Sequence, residues 1–154
     1  MSDPEKTTFQ HAKFGEVTVG RDEVVIFPNG LPGFERCRRY GMIALEEESP
    51  FLRLLSMDNP AVGFVLLNPL LIWADYNPQI SKEDLEGLEI AASEELAVYC
   101  IVTLSLVPQQ VTANLKGPIL INTRTQQARQ MILVDERYHT KHSILAAGQA
   151  STQG

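Results

Sequence analysis

Three histidines, two cysteines and scattered serines and carboxylates are the groups in this 154-residue chain whose types suit catalysis or metal binding. His139 and His142 stand at i,i+3 in the run Tyr138-His139-Thr140-Lys141-His142, so on a helix both imidazoles share one face. Zinc needs a third and usually a fourth ligand. His11 is the only other histidine, neither Cys37 nor Cys100 stands in a C-x-x-C pair, and Lys141 between the two imidazoles opposes a cation. No metal and no cofactor are expected. For a hydrolase, Ser56, Asp58 and Asp75 are available beside the histidines, but there is no G-x-S-x-G elbow. The phosphate cradles G-x-x-x-x-G-K-[ST] and G-x-G-x-x-G are missing as well. A triad drawn from scattered residues needs no motif, so a hydrolase of unknown substrate stays open as a distant reading. Both thiols are expected to be free, as in a reducing cytosol, with Cys100 buried in its apolar run AVYCIVTL.

Charge is more informative than any motif. The chain carries 13 basic and 19 acidic side chains, a formal net charge of −6. Seven of the acids, Asp75, Glu83, Asp84, Glu86, Glu89, Glu94 and Glu95, lie within residues 75–95 beside a single base, Lys82. That segment therefore holds the whole excess of −6, and the rest of the chain balances. A nucleic-acid binder is normally basic, to neutralise phosphates. This chain should avoid RNA and DNA, or oppose something that binds them. Two readings of the segment stand side by side: a solvated helix face, or an acidic surface that meets a basic partner and repels phosphate. The basic run Arg36-Cys37-Arg38-Arg39 and the acids Glu46-Glu47-Glu48 read as opposing solvated charges; the former is too short for an RNA patch.

The elements that must position these groups are mostly strands. Short segments rich in β-branched and aromatic residues, bounded by turn residues, fall at 8–14, 16–19, 23–27, 40–45, 51–55, 63–68, 97–107, 110–115, 118–122 and 130–134. Many short strands with frequent turns predict a mainly β, single-domain, compact antiparallel β-barrel-like fold over residues 8–147. One to three short helices accompany it. The first is capped by Ser81 with Asp84 three residues later, and Leu85 and Leu88 share its face. A second turn starts at Ser93, and a third covers 135–142. Residues 1–7 and 148–154 are polar or small and read as flexible ends. No apolar run approaches the ~18–20 residues that span a bilayer, and MSDPEKTTFQ is no secretory signal. A cytoplasmic protein without membrane contact is expected.

The ordered set of local motifs resembles the FliW flagellar assembly factors. It begins with Ile26-Phe27 and Gly30-Leu31-Pro32-Gly33-Phe34-Glu35. It continues through Pro50-Phe51, Leu54-Leu55-Ser56, Asp58, Gly63-Phe64, Asn68-Pro69, Asp75-Tyr76 and Ile80. Glu94 to Tyr99, Ile101-Val102-Thr103, Thr112 to Leu115, Gly117-Pro118-Ile119, Ile121-Asn122, Gln130, Ile132-Leu133 and Tyr138 to His142 complete it. Any one of these motifs is weak, whereas the ordered series spans most of the chain. The pattern departs at Gly117, where alanine is expected, at Ser143, where proline is frequent, and in the apolar run Leu70-Leu71-Ile72-Trp73.

The resemblance implies a protein that works by binding, in the manner of a chaperone and regulator, and not by catalysis. Its implied partners are flagellin and the translational regulator CsrA, an RNA-binding repressor that the factor captures when free of flagellin. On its own it is expected to be monomeric. Flagellin's terminal segments, helical and sticky before assembly, call for an apolar patch with a polar rim. The residues expected to contribute to partner surfaces are Phe64, Asn68, Pro69, Ile72, Asp75, Tyr76, Asn114 and Leu115, together with Glu83, Glu86 and Glu89 of the acidic segment. For Phe64 and Leu115 a plain core role is the competing reading. The alternative from another class is a stand-alone OB-like nucleic-acid-binding barrel, which the net charge opposes.

Leu31-Pro32-Gly33-Phe34 reads as a type II turn with proline second and glycine third. Gly33→Val is therefore expected to cost more than the ~1 kcal/mol typical of a point mutation. A melting temperature equal to that of the parent protein would reject the turn.

Overall fold

Residues 6–44 and 49–145 are described by the computed structural model. Glu46-Glu47-Glu48 and the ends 1–5 and 146–154 lie outside the described residues. The first two strands, β1 (Lys6–His11) and β2 (Gly15–Gly20), form an antiparallel hairpin. β1 thus begins two residues earlier than the sequence pattern suggests and ends at His11, short of the expected residue 14, because 12–14 form the hairpin turn. There follow β3 (Val24–Ile26), β4 (Arg39–Ala44), β5 (Phe51–Ser56) and β6 (Gly63–Leu67). A 3-10 turn over Pro69–Leu71 leads to the short helix α1 (Lys82–Gly87). After a second 3-10 turn at Ser93–Glu95 come β7 (Leu96–Thr103), β8 (Thr112–Ala113), β9 (Ile119–Asn122), β10 (Ala128–Gln130) and β11 (His142–Ser143). The large sheet runs β10-β9-β7-β6-β5-β4-β3, all neighbours antiparallel, with β8 and β11 added beside β7.

Period-two alternation sends apolar side chains to both faces of this sheet. Leu54, Leu66, Ile119, Ile121 and Ala128 point inward with Val25, Phe27, Leu31, Cys37 and Tyr40 and form one buried cluster. The alternate residues Leu67, Cys100, Val102 and Ala113 point outward and are covered by Tyr76, Leu115, Leu133 and Tyr138. Val17 and Val19 of the hairpin cover Leu55 on the same outward side. A sheet buried on both faces reads as near-continuous apolar runs such as LAVYCIVT, which is what β7 carries. Curling brings the two end strands together. Ile26 of β3 makes a parallel bridge to Gln127, next to β10, and its N–H donates to Gln126 O at 2.9 Å. The Gln126 side chain donates to Asp22 O and Val24 O at 2.6 and 3.2 Å. Among the described residues no continuous ladder closes the barrel; the junction of Ile26 with Gln126 and Gln127 joins its ends.

The Asn122–Gln127 turn that makes the junction is built on one buried amide. Asn122 is fully buried. Its Oδ1 accepts from Arg124 N at 2.8 Å and Thr125 N at 3.2 Å, while its Nδ2 donates to Leu88 O at 2.7 Å. The first pair shapes the turn, as asparagine does in loops. The last bond holds the end of α1 on the barrel.

Local turn chemistry behaves as expected at the first loop. Phe34 N donates to Leu31 O at 2.7 Å and Gly33 has φ +85°. Gly30 is bound more tightly still: at φ +67° an added Cβ would lie 2.5 Å from Glu35 Cα. Four expectations need correction. The strand placed at 97–107 ends at Thr103, because Pro108 and the turn from Val107 to Gln110 lead the chain away. The strand at 110–115 shrinks to Thr112–Ala113, since Asn114 begins a turn in which its own Oδ1 accepts from Lys116 N and Gly117 N. The strand at 130–134 shifts to Ala128–Gln130, opposite Ile119–Ile121. The helix at 135–142 does not form. Asp135 Oδ1 accepts from Arg137 N at 2.9 Å, a local bond that competes with helix. Tyr138 is buried edge-on against Tyr76 at 4.7 Å, and His142 joins β11.

Two expected outcomes follow from these junctions. Asn122→Ala leaves the Leu88 carbonyl and the turn N–H groups short of partners, at about 1–3 kcal/mol for each unsatisfied buried group. Denaturant unfolding should show a loss above ~2 kcal/mol; a loss below ~0.5 kcal/mol would reject the amide's structural role. The second concerns His142, whose Nε2 accepts from His139 N at 2.9 Å and whose ring meets Trp73 edge-on. Burial and the neighbouring His139 hold its pKa below the ordinary 6.5. A depressed histidine favours the neutral folded form, so stability is full above 6.5 and is lost as pH falls through it. The melting temperature should drop more for the parent protein than for His142→Gln between neutral and mildly acid pH. Identical slopes would remove His142 from the account.

Candidate protein-binding surfaces

The residues singled out from the sequence separate into a supported loop region and an acidic helix, with Phe64 apart. In the loop region, Asn68 caps the 3-10 turn by accepting from Leu70 N at 3.0 Å, and Pro69 is buried beneath it. Ile72 is half-buried against the outward cluster. Asp75 is exposed, whereas Tyr76 is buried and its hydroxyl donates to Leu115 O at 2.7 Å. Burial pushes that phenol's pKa up. Asn114 shapes its turn, and Leu115, 1% exposed, is core. The structure thus brings 68–76 and 114–115 together as one supported unit. Within it Leu115, Tyr76 and Pro69 hold the backbone, while Asp75 presents a side chain to solvent. Leu70 and Leu71, which the sequence reading did not select, stand 52% and 61% exposed there. The signal was present in the apolar run LLIW, whose spacing leaves two leucines off the buried side. Phe64 projects to the inward cluster, edge-on to Phe34 at 5.2 Å.

The acidic helix is built as its sequence suggests. Ser81 Oγ accepts from Asp84 N at 3.1 Å. Helix α1 then ends in a Schellman motif: Ile90 N donates to Leu85 O at 2.9 Å and Glu89 N to Glu86 O at 3.0 Å. Glu89 occupies the left-handed position at φ +57° that glycine usually fills. Its carbonyl is within reach of Asn122 Nδ2 and accepts from Arg124 Nη2 at 3.2 Å. Two of the seven acids are drawn into the fold. Asp84 pairs with Arg129 at 3.0 Å, and Glu95 with Arg124 at 3.5 Å. Glu86 pairs with Lys82 at 3.9 Å, both well exposed, which is a weak pair. Asp75, Glu83, Glu86, Glu89 and Glu94 face solvent. The acidity is thus anchored at Asp84 and Glu95 and free along its outer side.

The groups considered for catalysis are engaged otherwise. Ser56 Oγ accepts from Asp58 N and Asn59 N, and Asp58 Oδ2 accepts from Arg38 N at 2.8 Å and Arg39 N at 2.9 Å. His11 Nε2 lies 3.0 Å from Val62 O, and its Nδ1 accepts from Lys13 N. The His139 and His142 rings stack at 5.4 Å, and no group of three metal-ligating side chains occurs among the described residues. Both cysteines are free and buried, in separate clusters, with burial pushing Cys100 up to about 12. No helix among the described residues is long and apolar enough to cross a membrane.

A surface that the sequence did not reveal lies on the outward side of β5 and β6. Here a cleft of about 510 Å³ is lined by Phe14, Arg53, Val65 and Leu104 among others. Its sequence signal was Arg53 itself, a lone charge inside the apolar strand FLRLLS.

Comparison with known proteins agrees with this architecture. The family model described as FliW protein matches residues 8–144. A flagellar assembly factor FliW of Alkaliphilus metalliredigens is 39% identical over 137 residues, covering 88% of this chain and 85% of that protein. The namesake of Thermotoga neapolitana is 37% identical over 133 residues, covering 86% and 89%. Among solved structures, the crystal structure of the flagellar assembly factor FliW superposes with a TM-score of 0.81 at 32% identity, covering 90% of this chain and 96% of that one. With a family match over nearly its whole described length and an equivalent fold, this chain belongs to the FliW family of flagellar assembly factors.

Proposed function

We propose that this protein is a cytoplasmic binding factor without enzymatic activity, whose two partners are flagellin and the RNA-binding repressor CsrA. Free of flagellin, it captures CsrA and relieves repression of flagellin synthesis. The observation that carries this reading is the acidic outer side of residues 75–95. Glu83, Glu86, Glu89 and Glu94 face solvent there on a backbone fixed to the barrel by Asn122 and Arg129. A repressor that binds RNA must gather basic charge to neutralise phosphates. An acidic rigid surface complements that charge and steers encounter. Once docked, it also raises the cost of bringing phosphates close, out to the ~8–10 Å over which salt leaves charges unscreened. Antagonism then requires no contact with the RNA site itself; a coupling of about 1–3 kcal/mol between the two sites suffices. Flagellin in turn is assigned an apolar surface with a polar rim, for which the exposed Leu70, Leu71 and Asp75 over the supported 68–76 unit are suited.

The test is charge removal without change of shape. Glu83→Gln, Glu86→Gln and Glu89→Gln together are nearly isosteric, and they spare Asp84 and Glu95, which hold Arg129 and Arg124. Each exposed change should alter stability by no more than about 0.5 kcal/mol. The triple variant is expected to fold and to bind flagellin. Its ability to displace RNA from CsrA should fall at low salt, with the deficit shrinking at high salt. Full displacement by the variant at low salt would remove the electrostatic mechanism.

A further inference from the structure

Arg53 stands on the outward face of β5 between two apolar cross-strand neighbours, Ile43 and Val65. It is half-buried, and its guanidinium lies over the Phe14 ring at 4.5 Å from the centroid. Lys13 Nζ approaches the same ring at 5.8 Å. Neither cation forms an ion pair with a carboxylate among the described residues, whereas Arg39, Arg124, Arg129 and Arg137 each do. The wall carrying Lys13 and Phe14 is held in place. His11 accepts from Lys13 N and bonds Val62 O, and Ala12 N donates to Pro60 O at 2.8 Å. On the other side the cleft is bounded by Leu104, 52% exposed, and the chain continues from it through Leu106 and Val107, which are 103% and 46% exposed. Each is apolar and none serves the core.

We infer that this cleft receives a segment of a partner protein that carries apolar side chains next to a carboxylate. The carboxylate meets Arg53, and the apolar side chains lie on Phe14, Val65 and the Leu104–Val107 strip. Several considerations select that occupant. A guanidinium stacked on an aromatic ring and partly stripped of water presents its remaining N–H donors to a planar acceptor, and carboxylate matches that fork. An aromatic–arginine centre flanked by exposed leucines has the composition of an interface core. A small ligand is usually enclosed over most of its surface, whereas this cleft opens onto a strip. Nucleic acid would face a chain of net charge −6. The cleft is lined by β5, β6 and the end of β7 together with the hairpin, whereas the acidic helix is held by the β9–β10 turn. The chain therefore offers surfaces of opposite charge on separate elements, one for a basic partner and one for an acidic, apolar segment.

Assigning that segment to flagellin rests on the function proposed above and makes the cleft a second flagellin contact beside the 68–76 surface, so the test has two arms. The full chain and its variants Arg53→Glu, Arg53→Lys and Phe14→Ala are titrated with purified flagellin monomer, and melting temperatures are recorded in parallel. Binding is expected to weaken about tenfold or more for Arg53→Glu and several-fold for Phe14→Ala, with Arg53→Lys intermediate and melting temperatures near the parent value. The same proteins are then used to select from a library of short random peptides. Enrichment of sequences pairing Asp or Glu with apolar residues, lost with Arg53→Glu, supports the cleft even where flagellin itself fails to bind; in that case the flagellin reading falls and the cleft stands. Flagellin binding that is unchanged by folded Arg53→Glu and Phe14→Ala, with no such enrichment, overturns the inference and leaves the flagellin reading intact. Arg53-dependent binding of a short single-stranded RNA would overturn it as well, by making phosphate the ligand.

Discussion

The side-chain amide of Asn122 is the contact on which both closure of the barrel and placement of its acidic face depend. A buried amide without partners costs several kcal/mol, so it stays only where its donors and acceptor are all used. Here they are used in two directions at once: Oδ1 shapes the turn after β9, and Nδ2 grips the last carbonyls of α1. From that turn Gln126 reaches back to Asp22 and Val24, which brings the first strand of the sheet to its last. Gln126 itself sits at φ +63°, a conformation uncommon for a side chain-bearing residue. That conformation is sustained by the bonds on either side of it. A barrel closed at one junction, not by a full ladder, concentrates its integrity in a few residues.

The same turn governs the electrostatics. Arg124 and Arg129 leave the turn and β10 to meet Glu95 and Asp84. Pairing at Asp84 and Glu95 fixes the acidic segment but does not cancel it, because Asp75, Glu83, Glu86, Glu89 and Glu94 remain in water. Exposed charges on a fixed backbone give a field of constant geometry, which steers a basic partner better than the same charges on a loose tail. The Glu89 backbone at φ +57° belongs to this arrangement. Glycine there would relieve the strain of the left-handed region but would also delete a charge from the outer side.

How much of this was legible in the sequence follows from which forces are local. Apolar runs rich in β-branched and aromatic residues, bounded by turn residues, placed β4 to β6 and β9 within a few residues. Proline and glycine marked the Leu31–Phe34 turn, and Ser81 with Asp84 marked the start of α1, because those bonds close within three residues. Residues 135–142 misled, because helix spacing at His139 and His142 was outweighed by the Asp135 turn and by burial of Tyr138 on a distant tyrosine. The strand at 97–107 ran too long because Leu104, Leu106 and Val107 look like core in one dimension, and only the fold shows them exposed. The Arg53 cleft was hidden for a related reason. It needs Phe14 and Arg53, which are far apart in sequence and meet only when the hairpin folds over the sheet.

Among the side chains of the supported loop unit, burial separates those that present a surface from those that maintain it. Tyr76 and Leu115 are tied to each other by a hydroxyl–carbonyl bond of 2.7 Å, and Pro69 is buried at the turn they support. These three shape the 68–76 backbone without offering side chains to a partner. Asp75, Leu70 and Leu71 offer side chains and carry little of the core. Loss of binding caused at the first group must therefore pass through stability, whereas at the second it need not. The same division holds on the acidic side, where Asp84 and Glu95 secure the segment and Glu83, Glu86 and Glu89 project from it. The fold thus spends its buried polar bonds on holding two irregular segments still. A protein that acts by binding requires this, because a surface that is ordered before the encounter avoids the entropy cost of ordering during it.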